Sequence, residues 1–142
     1  MYLPDINVWL AFAFEVHRHH GPAKNWFEAI QEKSIVFCRL TQLGLLRLST
    51  NTKVFAEDAL TLDNAWSCYD RFLEDSRIGF ILEPLGLDHF FRLFTSDSSY
   101  SPKVWNDAYL AAFAVAANAQ LVSFDRAFQR YKQLDCVILE NL

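Results

Sequence analysis

Tyr2-Leu3-Pro4-Asp5-Ile6-Asn7-Val8-Trp9-Leu10-Ala11 begins with a short apolar run that ends at a carboxylate, where a helical pattern starts at once. The arrangement returns twice. Ile35-Val36-Phe37-Cys38 runs into Thr41-Gln42, and Leu121-Val122-Ser123-Phe124 runs into Asp125. Short runs that are apolar throughout, rather than alternating, read as strands buried on both faces, and strands separated by helices pair in parallel. The expected fold class is α/β, a three-layer α/β/α sandwich with a mainly parallel central sheet. In an open sheet of this kind, groups at the carboxyl ends of the strands converge on one crevice. Asp5, Gln42 and Asp125 are therefore candidates for one site, and Asp107, inside an otherwise apolar helix, is a fourth.

Working outward, the spacing predicts strands at residues 2–4, 35–38, 78–82, 120–124 and 137–139. Helices are expected at 7–14, from about 23 to 32 after a break at 17–22, from 40 to just before Asn51, at 62–73 and at 87–94. A Ser-rich turn at 96–101 precedes a long helix reaching about 118, with Ser101 as N-cap and Pro102 in the first helical position, where proline's missing donor costs nothing. Two rows of that helix, Val104-Ala108-Ala111-Val115 and Trp105-Tyr109-Ala112-Ala116, are apolar, so most of its circumference should be buried. A short helix at 126–131 completes the set. No repeat, linker or low-complexity segment divides the chain, and 142 residues suffice for one domain spanning 1–142.

Composition removes several function classes. With 52% hydrophobic and 21% charged residues the chain is a packed globule rather than a disordered one. A net charge of −4 is the wrong sign for holding nucleic acid by bulk electrostatics, so a polyanion must be gripped locally or through bound cations. Three widely spaced cysteines, Cys38, Cys68 and Cys136, make neither a disulfide framework nor a zinc site. They read as small buried hydrophobes in a reducing, cytoplasmic setting. The amino terminus lacks a signal-peptide pattern, and the longest apolar run, residues 108–117, is about half a membrane span, so no membrane partner is expected.

Each acid also has a purely structural explanation. Asp5 and Asp125 stand where helix N-caps belong. Asp107 is several residues past the Ser101 cap and flanked by apolar rows, so it gains little from the helix dipole and must be paired with an arginine, with backbone donors or with something else. Taken together, several acids at one crevice repel, and a cation relieves them. Mg2+ or Mn2+ is the natural occupant, since these hard ions take oxygen ligands and keep several waters. Such an ion polarises phosphoryl oxygens and lowers the pKa of an attacking water. The reaction class implied is metal-assisted cleavage of a phosphate ester.

The chain resembles the PIN-domain ribonucleases of the VapC toxin group. The resemblance runs end to end and is carried by Leu3-Pro4-Asp5-Ile6-Asn7-Val8-Trp9-Leu10-Ala11, residues 17–27, Cys38-Arg39-Leu40-Thr41-Gln42-Leu43-Gly44-Leu45-Leu46-Arg47, Trp105-Asn106-Asp107-Ala108-Tyr109-Leu110-Ala111-Ala112 and Leu121-Val122-Ser123-Phe124-Asp125-Arg126. It implies a Mg2+-dependent endoribonuclease toxin acting on RNA, a cognate antitoxin that covers the site, and assembly as a homodimer and a toxin–antitoxin hetero-oligomer. Asp5 and Asp107 fall on the family's principal metal-binding aspartates, Asp125 on a supporting acid, and Asn7 and Thr41 on polar positions beside the site. Gln42 departs from the pattern, because many members have a glutamate there. The alternative is a PIN scaffold that binds RNA or protein without turnover. Phosphoryl transfer onto Asp5, as in haloacid-dehalogenase-like or receiver domains, is disfavoured because Asn7 stands where the former need a second aspartate.

Other polar residues receive plainer readings. His17, His19 and His20 read as surface or turn histidines away from the acids. Arg39, Lys103 and Arg126 are the basic residues nearest the site elements and the candidates for RNA phosphates. Aromatics such as Trp26, Trp66, Phe90, Phe91 and Phe94 are mostly core, with a few left for a dimer face or an apolar antitoxin groove.

Overall fold

Leu3, Ile35, Phe37, Leu121 and Val122 are wholly buried, as strands covered on both faces require. The computed structural model describes residues 1–31 and 34–140. In order these form β1 (Tyr2–Pro4), α1 (Ile6–Ala13), α2 (His20–Ala29), β2 (Ile35–Phe37), α3 (Arg39–Ser49), α4 (Thr52–Phe55), α5 (Leu62–Glu74), β3 (Ile78–Phe80), α6 (Leu87–Phe94), α7 (Val104–Ala116), β4 (Gln120–Ser123) and β5 (Cys136–Ile138). Short 3-10 segments lie at Ala56–Asp58 and Arg126–Arg130. The sheet order is β3-β2-β1-β4-β5, with every pairing parallel. The chain builds outward from β1 in one direction through β2 and β3, then returns to build through β4 and β5. The topological switch point therefore lies between β1 and β4.

Strand alternation divides the core into two clusters on opposite faces of the sheet. Leu3, Val36 and Leu121 pack with Leu110, Phe113 and Ala114 of α7. Ile35, Phe37 and Val122 pack with Val8 and Trp9 of α1, Phe27 of α2, Leu45 of α3 and Phe72 of α5. The Trp9 ring lies on Phe37 with centroids 3.7 Å apart and meets Phe72 edge-on at 5.1 Å, an arrangement that favours the ring quadrupoles as well as burying area. At Gly44 a Cβ would come within 2.2 Å of Ile6 Cδ1, so α3 needs glycine to approach α1 this closely.

Several boundaries move from the sequence expectations. Helix α2 begins at His20 rather than 23, and the expected end at 32 lies outside the described residues. Strand β3 stops at Phe80 and β5 starts at Cys136. The segment after Asn51, to which the spacing assigns no element, forms α4. The largest difference is at α7. Ser101 does not cap it; the Ser101 carbonyl instead accepts the Val104 N–H at 3.3 Å, closing a turn over 101–103, and the helix starts at Val104. Trp105 is consequently at the surface, 54% exposed, so the second apolar row is not buried along its length. Cys38 and Cys68 are buried as expected, whereas Cys136 is only half-buried on the edge strand.

Candidate functional site

Asp5 follows β1 directly, and its extended backbone places the side chain as N-cap of α1. One carboxylate oxygen accepts the Ile6 N–H at 2.7 Å, and the other accepts the Ser123 hydroxyl at 2.9 Å. Ser123 ends β4, the strand beside β1 across the switch point, and is wholly buried. Its oxygen also accepts from the Asn7 amide at 3.3 Å and from the Asp125 N–H at 3.0 Å. The Asn7 carbonyl oxygen in turn accepts the Phe124 N–H at 3.4 Å. One hydroxyl thus ties the start of α1 to the end of β4. Asp125 caps the 3-10 segment that follows, accepting the Ala127 N–H at 2.9 Å, and is exposed.

Burial is the main reason that the Asp5 carboxyl is pushed up to about 6. The Ser123 and Ile6 donors oppose that rise, and the charges of Asp107 and Asp125 add to it. Asp107 is also raised, first by burial and then by Asp125, with Arg130 pulling the other way. Asp107 was expected to lie well past the cap of its helix. It lies in the first turn of α7, where the helix dipole favours its charge. Half-buried, it has neither a hydrogen bond nor an ion pair to its carboxylate among the described residues. Three strand- and helix-end acids are therefore brought within electrostatic reach of one another, two of them destabilised as anions.

Gln42 and Thr41 are differently placed. The Thr41 hydroxyl is used within the N-terminal turn of α3, accepting the Cys38 N–H at 3.0 Å and donating to the Cys38 carbonyl at 3.1 Å. The Gln42 carbonyl oxygen accepts from the Arg39 guanidinium at 2.5 Å, and Gln42 also hydrogen-bonds the Tyr69 hydroxyl. Arg39 itself lies over the Phe80 ring at 4.8 Å. Arg126 is paired with Glu140 at 2.9 Å on the surface, and Lys103 is exposed. None of the three basic residues expected near the acids is among the charges that shift Asp5 or Asp107; Arg130 is.

The histidine break departs from expectation in its location. His17 and His19 do lie in a turn, but with Arg18 they line a cavity of about 390 Å³ shared with Asn7, Phe124 and Asp125, beside the acids rather than away from them. His20 opens α2 with its Nδ1 2.8 Å from the Ala11 carbonyl oxygen. Sequence reasoning missed Ser123 as the central hydrogen-bonding group. The available signal was a lone hydroxyl ending an apolar strand two residues before a candidate acid. It also missed Arg130, which no helical period marks because 3-10 geometry sets its direction.

An all-parallel sheet whose switch point carries acids with no bonded counter-ion among the described residues defines an open α/β protein with an acidic crevice. The PIN domain family model matches residues 2–134, and the chain belongs to that family. It is 42% identical over 144 residues to Ribonuclease VapC41 of Mycobacterium tuberculosis, covering 98% of this chain and 99% of that protein. It is 26% identical over 138 residues to Ribonuclease VapC44 of the same organism, covering 88% of this chain and 86% of that one. Among solved structures, VapBC2 from Rickettsia felis bound to a DNA fragment from their promoter superposes with a TM-score of 0.72 at 19% identity, covering 98% of both chains. Mycobacterium tuberculosis VapC20, a Sarcin-Ricin loop cleaving toxin, gives 0.69 at 12% identity over 93% of this chain and 95% of that one. These two likenesses support the three-layer fold.

Among the described residues, no group of three or more His, Cys, Asp or Glu side chains lies close enough together to hold a metal ion as it stands. The donor set nonetheless suits a hard cation. It offers carboxylate oxygens, which repel one another and lack a bonded counter-ion among the described residues, and a hard ion of this kind keeps waters for its remaining positions. No helix among the described residues is long and apolar enough to cross a membrane.

Proposed function

We propose that this chain is a divalent-metal-dependent endoribonuclease, a VapC toxin neutralised by a cognate antitoxin, built as a single PIN-like domain over residues 1–142. The observation that carries the reading is the mutual repulsion of Asp5, Asp107 and Asp125 at the switch point, with Asp5 raised to about 6 and no cation bonded to any of the three among the described residues. The ribonuclease names of the relatives, and the VapBC assemblies among the structural neighbours, support the substrate and the partner.

Asp5 and Asp107 would hold Mg2+ or Mn2+, with Asp125 supporting. When bound, that ion polarises the phosphoryl oxygens and generates the hydrolytic water near neutral pH. Ser123 donates to Asp5 and fixes its orientation, as the groups behind a metal ligand do. The Asn7 amide, anchored to Ser123 and Phe124, keeps the start of α1 against the end of β4. The Asp125 carboxylate accepts the Ala127 N–H through one oxygen, and its second oxygen has no hydrogen bond among the described residues. Gln42 and Thr41 are neutral and are engaged by Arg39, Tyr69 and the Cys38 backbone, so neither adds charge to the site. Purified protein incubated with cellular RNA and Mn2+ should produce discrete fragments; cleavage that survives EDTA or Asp5→Asn would sink the mechanism.

A second reading, a scaffold that binds RNA or protein without turnover, is favoured by one feature. Gln42 is neutral and already satisfied by Arg39 and Tyr69, so that corner adds no acid to the metal site.

A further inference from the structure

The turn at residues 15–19 and the end of β4 border an open surface cleft that the reading above does not use. Its walls are Asn7, His17, Arg18, His19, Phe124 and Asp125. Asn7 and Asp125 belong also to the acid crevice, so whatever occupies the cavity is contiguous with a group at the acids. The volume, about 390 Å³, lies within the range of small-ligand sites. The His19 ring lies on Phe124 with centroids 4.5 Å apart and planes within 16°, forming an aromatic wall. The Arg18 Nε donates to His19 Nε2 at 3.1 Å, which holds the guanidinium beside that ring. Its two terminal nitrogens have no partner among the described residues, leaving a planar pair of donors for an anion. His17 is locked by its own turn, its Nδ1 accepting the His19 N–H at 3.1 Å. Burial and the neighbouring His19 and Arg18 hold His17 below the usual histidine range, so it contributes a neutral rim.

A chain of net charge −4 with three exposed or half-buried acids repels a phosphate backbone, and retention therefore depends on local cations. We propose that this cavity is a nucleotide subsite for single-stranded RNA, in which Arg18 grips a backbone phosphate next to the scissile one and the His19–Phe124 wall stacks a base. The subsite rests on the endoribonuclease reading. It adds to that reading the strand's direction of exit, from the acids past Asn7 and over the 15–19 turn. A base on an aromatic face is tolerant of sequence, so the subsite supplies affinity rather than base choice.

The test measures fluorescence anisotropy of a labelled random-sequence single-stranded RNA about twelve nucleotides long, titrated with full-length Asp5→Asn protein in millimolar Mn2+. Arg18→Gln in that background should weaken binding about tenfold and reduce the slope of log affinity against log salt by about 0.7, the contribution of one phosphate contact on a single strand. Arg18→Lys should restore the slope but only part of the affinity. Phe124→Leu should weaken binding about tenfold with the slope unchanged. Arg18 is exposed, so its variants fold, and matched thermal melts verify this. Equal affinity and slope for Arg18→Gln and its parent overturn the subsite while leaving the ribonuclease reading standing. Wild-type protein that cleaves RNA while the parent fails to bind the pool also overturns the subsite alone. Wild-type protein that neither cleaves nor binds RNA overturns both.

Discussion

The carboxyl ends of β1 and β4 and the carboxyl end of β2 lie on the same edge of one sheet, and they treat their polar side chains in opposite ways. At β1 and β4, Asp5 and Asp125 are held by one buried serine and by backbone donors, and with Asp107 they remain a group of like charges. At β2, Thr41 satisfies the backbone of its own helix turn, and Gln42 is taken up by Arg39 and Tyr69. In the proposed reading the first region takes up a cation from outside, whereas the second is already satisfied by its own neighbours. Burying charge is costly unless it is paired, so the first region is where function is to be sought.

Five perturbations break or sharpen this contrast. Asp5→Asn or Asp107→Asn should reduce RNA cleavage by roughly a thousandfold or more, the several kcal/mol that a metal supplies to the transition state. Gln42→Ala should cost less than about tenfold in the same fragment assay, because the β2 corner carries no charge. Ser123→Ala should lower Mn2+ affinity by about 10–100-fold, as loss of a group that orients a ligand does, and should destabilise the fold by about 1–3 kcal/mol because Asp5, Asn7 and the Asp125 N–H lose a buried partner. Calorimetry and urea denaturation measure the two effects separately.

The metal-free protein should be less stable at pH 7 than near pH 4. Asp5 titrates at about 6 when folded against 3.8 ordinarily, so the native state binds more protons between those values and stability falls as pH rises through them. The size is on the order of 2 kcal/mol, discounted for partial exposure. Asp107 is shifted in the same direction. Asp75, held below the usual carboxylate range by Arg77, has the opposite sign, and its contribution is lost only as pH falls through its lowered folded value. Urea midpoints in EDTA at the two pH values, with Asp5→Asn as the variant that flattens the difference, check this. The smallest effect is expected from Gln42→Glu. Arg39 would neutralise the new charge, so Mn2+ affinity should rise by no more than a few-fold in the same calorimetry.

Much of the fold was legible because the strands are apolar throughout and the helices follow a clear period. Runs such as Ile35-Val36-Phe37 and Leu121-Val122 admit little else in a chain of this length. The start of α7 was not legible, since Ser101-Pro102 has the composition of a cap while its backbone makes a tight turn, and that shift brought Asp107 from several residues past the cap to the first turn. Asp5 and Asp125 were readable as acids at strand ends, and Asp107 as an acid inside an otherwise apolar helix. Their support was not: Ser123 looks like an ordinary strand residue until β1 and β4 are laid side by side, and the 15–19 turn reaches the acids through tertiary packing that no local pattern encodes. Arg39 and Arg126 were near the site in sequence, but Gln42 and Glu140 engage them in space.

The central claim is that Asp5, Asp107 and Asp125 form a cation site, and titration calorimetry with Mn2+ at pH 6 tests it most directly. Binding should occur below millimolar concentration with release of a fraction of a proton as the ion displaces it from Asp5, and both binding and proton release should be lost in Asp5→Asn. Wild-type protein that binds no Mn2+ at millimolar concentration, or that binds it equally well in Asp5→Asn, would contradict the claim.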